Sequence, residues 1–175
     1  MTADFGTARA VDARAFGEPG QRTFQIRIVG SSLQSASLWV EKQQIQALSL
    51  ALTQVLSQMG RSEGGEQDLG SFPESPEHEF RVGRMAIGFD SSAGAVVLQA
   101  FDITRAEEEE EPDVEVRFTE DACASLNRRL MEIIAAGRPL CPLCGQVLDT
   151  TGHFCIRANG HSKEPIPEER IDDSE

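Results

Sequence analysis

Basic side chains are scarce in this chain: 16 Lys and Arg stand against 29 Asp and Glu in 175 residues, a formal net charge of −13. A molecule this acidic repels phosphate backbones and anionic lipid surfaces, which argues against broad nucleic-acid or membrane binding. Long apolar runs are missing too. Nothing approaches the roughly 18 consecutive apolar residues of a membrane-spanning helix. Residues 1–30 have no basic start followed by an apolar run, so neither export nor a membrane span is expected, and a cytoplasmic setting follows. Familiar catalytic signatures are also lacking: there is no phosphate-cradling glycine loop, no G-x-S-x-G elbow and no pair of carboxylates in a recognisable frame. What remains is ordinary for a soluble domain able to bury a core, with 39% apolar and 26% charged residues.

The cysteines are few and unevenly placed. Cys123 stands alone, while Cys141, Cys144 and Cys155 crowd into CPLCGQVLDTTGHFCIRANGH. Clustering of this kind points to a metal rather than to a disulfide framework. Two thiolates separated by two residues can reach one ion because the chain curls around it, and Gly145 lets the curl continue. Asn159-Gly160 forms a turn dipeptide that would bring His161 back towards Cys155. His161 is therefore the expected fourth ligand. His153 is the alternative, since residues two apart on a strand face the same side and would set it beside Cys155. Three sulfurs and one imidazole select zinc, and a filled sphere without a water position makes the site structural, a zinc knuckle. A thioredoxin-like redox pair would need a strand before Cys141 and a helix after Cys144, whereas here a helix precedes the motif and a loop follows. The deaminase signature fails in both halves, at Glu77-His78-Glu79 and at Pro139-Leu140-Cys141. A DNA-reading finger is disfavoured by the Cys/His second pair and by a single basic residue, Arg157, between Cys141 and His161.

Upstream, alternation and turn residues mark six strands. Ala8 to Phe16 runs to a break at Gly17-Glu18-Pro19-Gly20; Phe24, Ile26 and Ile28 alternate with polar residues; Leu38-Trp39-Val40 forms a third strand. Ile45, Leu48, Leu52, Val55 and Leu56 then recur at helical spacing from about Lys42, with Gly60 as the stop. Residues 60–78 mix Gly, Ser, Pro and acids and read as a linker. Strands resume with Met85, Ile87 and Phe89, with Ala95 to Ile103, and, after an acidic loop at 105–113, with Val114, Val116 and Phe118. A second helix starts near Glu120 with Thr119 as cap and ends by Gly137 and Pro139. Its apolar set, Cys123, Leu126, Leu130, Ile133 and Ile134, repeats that of the first helix 78 positions on. The expectation is an α+β fold: an antiparallel sheet or open barrel of about six strands with two helices, read as a duplicated βββα unit. It would occupy residues 1–138, followed by a zinc module at 139–162 and an acidic disordered tail at 163–175.

Among other residues, Cys123 on the apolar stripe reads as core. His78 reads as a solvated loop histidine at the end of the linker. Arg22, Arg27, Arg81 and Arg84 would make an anion site if the sheet gathered them, although strand arginines facing water are the commoner case.

The segments FGTARAVDARAFGEPGQRTFQI, SLWVEKQQIQAL, FRVGRMAIGFD, CPLCG and RANGH together resemble, over nearly the full length, the uncharacterised bacterial family catalogued as domain of unknown function 3090. That resemblance implies no established activity. It does imply genomic company with a histidine-phosphatase-like and a phosphatidylinositol-kinase-like protein, and hence a shared pathway. The reading that results is a zinc-stabilised, non-enzymatic binding or adaptor module with a protein partner. The alternative is an enzyme or a protein that holds a small anionic ligand between sheet and helices.

Overall fold

The structure, a computed structural model, describes residues 2–18, 20–60, 70–105, 110–137, 141–144, 148, 153 and 155. Two compact units divide the chain, Met1–Gly137 and Arg138–Glu175. The first carries β1 (Ala3–Phe16), β2 (Thr23–Gly30), β3 (Ser35–Val40), α1 (Lys42–Gln58), β4 (His78–Asp90), β5 (Ala95–Asp102), β6 (Val114–Phe118) and α2 (Glu120–Ala135).

The α+β class, the six strands and the two helices agree with the sequence reading, whereas the sheet is neither wholly antiparallel nor open. The strands close into a barrel in the order β1-β2-β3-β4-β5-β6. Within each meander pairing is antiparallel, but β3 runs parallel to β4 and β6 parallel to β1. The reason lies in the connections. Two strands joined through a helix return in the same direction, as β3 and β4 do through α1, whereas tight turns reverse the chain. Closure leaves no strand edge open among the described residues.

The duplication holds in the register. Phe24 pairs with Val40, Ile26 with Leu38 and Ile28 with Ala36; Val96 pairs with Phe118, Leu98 with Val116 and Ala100 with Val114. Even the irregularity repeats: β1 slips register between Ala8 and Ala10, and β4 slips between Val82 and Arg84.

Alternation supplies the interior. Ile26, Ile28, Leu38, Val96, Val114 and Val116 are fully buried and join Ile45, Leu52, Leu126 and Leu130 from the helices in one apolar core. Each such side chain contributes about 1.5–3 kcal/mol by leaving water. Thr119 caps α2 by accepting from the Ala122 N–H at 3.2 Å, and Glu120 and Asp121 favour its positive end. Gly60, at φ +78°, ends α1 in a conformation that other residues adopt only with strain. Where the helices meet, Ser49 donates to Asn127 Oδ1 at 2.8 Å, Asn127 Nδ2 donates to Thr53 Oγ1 at 2.9 Å, and Thr53 donates to the Ser49 carbonyl at 2.8 Å. That closed chain satisfies polar groups that would otherwise be costly to bury.

Two expectations change. His78 is the first residue of β4, opposite Ala36 and half-buried, with its ring 5.6 Å from that of Phe5, so it is a strand residue rather than a solvated loop histidine. The stretch read as a linker is partly packed: Phe72 lies under the Arg27 guanidinium at 4.1 Å, and a Cβ on Gly70 would strike Ala10. Residues 61–69 and 106–109, and the tail expected at 163–175, lie outside the described residues.

Cys123 is fully buried, and that burial, aided by the Glu120 charge, pushes its thiol up to about 12 from 9.0. Because the folded value lies above the unfolded one, this stabilisation is complete below pH 9.0 and is lost as pH rises towards about 12. Denaturant titrations at stepped alkaline pH should show stability falling by up to about 1.4 kcal/mol per pH unit from this group. Cys123→Ala should flatten that slope by the same amount; an unchanged slope would contradict the assignment.

Candidate metal centre

The second unit brings four donors together. Cys141, Cys144, His153 and Cys155 each offer one ligand atom, and these atoms all lie within 4.8 Å of one another. Pro142, Leu143 and Cys144 form the turn of the C-x-x-C, which returns the second sulfur towards the first. The N–H groups of Cys144 and Leu143 donate to the Cys141 sulfur and draw its thiol below the ordinary value, the direction a metal-binding thiolate requires. Cys141 and Cys155 are buried, and Cys144 and His153 half-buried.

The distances test whether one ion fits. Tetrahedral coordination with metal–sulfur bonds of about 2.3 Å sets sulfurs about 3.8 Å apart. Cys141 Sγ and Cys155 Sγ are separated by 3.8 Å. Cys144 Sγ lies 3.1 Å from His153 Nε2, somewhat closer than the roughly 3.6 Å edge that the same geometry gives for sulfur and nitrogen. All four cysteines are free; the Cys141–Cys155 separation is well beyond the roughly 2.05 Å of a disulfide. The cluster can therefore hold a metal ion, with three soft donors and one imidazole.

Of the residues expected to ligate, Cys141, Cys144 and Cys155 are gathered here. His153, the alternative fourth ligand, is gathered with them. His161, the preferred one, lies outside the described residues.

The four arginines do not converge. Arg27 donates to Asp12 Oδ2 at 2.8 Å, and Arg22 sits over the Phe24 ring at 5.3 Å. Arg81 and Arg84, by contrast, line one cavity of about 620 Å³ at the β4 bulge, together with Arg105. Residues three apart on a regular strand face opposite sides; the register slip between Val82 and Arg84 adds the residue that turns both to one side. Sequence reasoning missed Arg105 and also Gln44, whose amide accepts from the Glu41 N–H at 2.8 Å and donates to the Val82 carbonyl at 3.0 Å, tying α1 to the bulge. Neither residue carries a periodic signal, and the bulge that makes them neighbours of Arg81 and Arg84 is not encoded in strand alternation.

The family described as "Protein of unknown function (DUF3090)" matches residues 3–155. No curated protein and no solved structure gives a significant match to the chain.

The two histidines can be separated experimentally. With His153 as the fourth ligand, His153→Ala should lower metal affinity by about tenfold or more, whereas His161→Ala should leave it within about twofold. Competition with a chromophoric chelator reads both; the reverse ranking would assign His161.

Proposed function

The chain belongs to the DUF3090 family of proteins of unknown function, and from its four-donor cluster we propose a zinc-binding protein whose metal is structural and whose role is that of a non-enzymatic binding or adaptor module. The observation that carries this reading is the meeting of three sulfurs and one imidazole within 4.8 Å. Soft donors of this kind favour zinc over magnesium, calcium or manganese. With all four positions taken by protein there is no place for a reactive water, so zinc would shape the second unit rather than catalyse. Free thiols throughout fit a reducing, cytoplasmic setting, and no helix among the described residues is long and apolar enough to cross a membrane. A protein partner, within a pathway shared with histidine-phosphatase-like and phosphatidylinositol-kinase-like proteins, is the role that fits such a module.

A second reading, a protein that holds a small anionic ligand, is favoured by one specific observation. Arg81 and Arg84 line the same cavity.

Metal analysis of the purified full-length chain should find one zinc per molecule. Cys144→Ser should abolish it and loosen the C-terminal unit while the far-ultraviolet circular dichroism of the barrel persists. A metal-free wild type, or a variant that keeps a full equivalent of zinc, would overturn the proposal; loss of all secondary structure would show that the metal supports the whole fold.

A further inference from the structure

The two repeats of the barrel serve as an internal comparison. The Ser31 N–H donates to the Thr7 carbonyl at 2.8 Å, and the Ile103 N–H donates to the Arg81 carbonyl at 2.9 Å. Ala10 pairs with Val29 as Arg84 pairs with Phe101. The Leu33 N–H donates to the Gly30 carbonyl at 3.0 Å, and the Arg105 N–H donates to the Asp102 carbonyl at 3.0 Å. Thr7, Ala10 and Leu33 are thus the counterparts of Arg81, Arg84 and Arg105. The first repeat builds the same bulge and the same hairpin end with no guanidinium at any of these three positions, its own bulge arginine, Arg9, standing where the second repeat has Gly83, so the backbone has no need of the three arginines. Yet all three face one cavity of about 620 Å³.

Each of them is positioned. Arg84 stacks on Phe101 at 3.8 Å from the ring centre; stacking uses the face of the guanidinium, while its donors lie in the plane. Arg105 is held by Asp113 at 2.7 Å, and Arg81 stands 3.9 Å from the Glu41 carboxylate. At the bulge itself Gly83 has no Cβ, where one would come within 2.8 Å of the Ile103 backbone. The lining carries three arginines beside Glu41 and Asp102, and Asp113 pairs with Arg105, so what the cavity offers an anion is the forked geometry of its donors rather than surplus positive charge.

We propose that this cavity binds a small organic phosphate as its dianion, an inference that rests on the anion-binding reading and names the ligand class. A monocarboxylate would offer the arginines no more than Glu41 and Asp113 already do. A phosphate monoester brings nearly two charges and three strong acceptors, which suit the planar fork of a guanidinium. The volume falls within the roughly 300–1,000 Å³ of small-molecule sites, larger than a phosphate group alone needs. Phe101 and Ile103 supply apolar wall for the organic part.

The test is calorimetric titration of the full-length chain with phenyl phosphate and with benzoate, which share a ring and differ in charge. Phenyl phosphate should saturate one site at least about tenfold more tightly than benzoate, and should weaken as pH falls through about 6, where the dianion takes up a proton. The variant R81T/R84A/R105L, which installs the first repeat's residues, should lose binding, while Cys144→Ser keeps it. Equal affinity for both probes would overturn the phosphate assignment and leave anion binding standing. Saturation by neither probe, or a triple variant that binds like the wild type, would overturn both. If the triple variant fails to fold, the Gly83 amide resonance of the wild type decides: a shift on adding phenyl phosphate supports the site, and its absence overturns it.

Discussion

Neither three-stranded meander can hide its apolar face alone. Ile26, Ile28 and Leu38 in the first and Leu98, Val114 and Val116 in the second are all essentially excluded from water, and they become so only because the strands curve into one barrel around a shared interior. The helices make that curvature possible. Each follows the third strand of its unit, and α1 carries the chain to a start parallel to the strand it left. Burial of the helices' own stripes, Ile45 to Leu56 and Cys123 to Ile133, then belongs to the same core rather than to a separate layer.

The C-terminal unit faces a different constraint. Units of a few tens of residues ordinarily rely on a cross-link or an ion, because so short a chain has little apolar surface to bury. Two of its sulfurs, those of Cys141 and Cys155, stand at the separation a tetrahedral ion sets, and its cysteines are free. For a metal ion bound at these four donors, affinity and local order would be one quantity, since donors that must be brought together are held together by what they bind.

The helices were the most legible part of the fold, because each carries a stop or a cap beside a strong stripe: Gly60 ends α1, and Thr119 opens α2. Strands were legible where alternation is clean, as at Phe24 to Ile28. The opening of β1 was not, since Asp4 and Gly6 interrupt the pattern, with Gly6 at φ +64°. Closure could not be read at all, because period-two alternation says which face is buried and nothing about which strand lies alongside. Cys141, Cys144 and Cys155 were evident from spacing, whereas the choice of histidine depends on the path of a loop, which spacing does not encode. Likewise, period-two alternation would set Arg81 and Arg84 on opposite faces, and it does not encode the bulge that brings them to one side.

Ser49 and Asn127 occupy equivalent positions in the two units, 78 residues apart, and touch each other. A residue that meets its own counterpart lies on the dyad relating the halves. In an assembly of two identical subunits such a residue must bond to a copy of itself, so donor and acceptor have to come from one side-chain type. Joining the halves in a single polypeptide lifts that requirement: a hydroxyl on one side can be matched to an amide on the other, and the contact becomes directional.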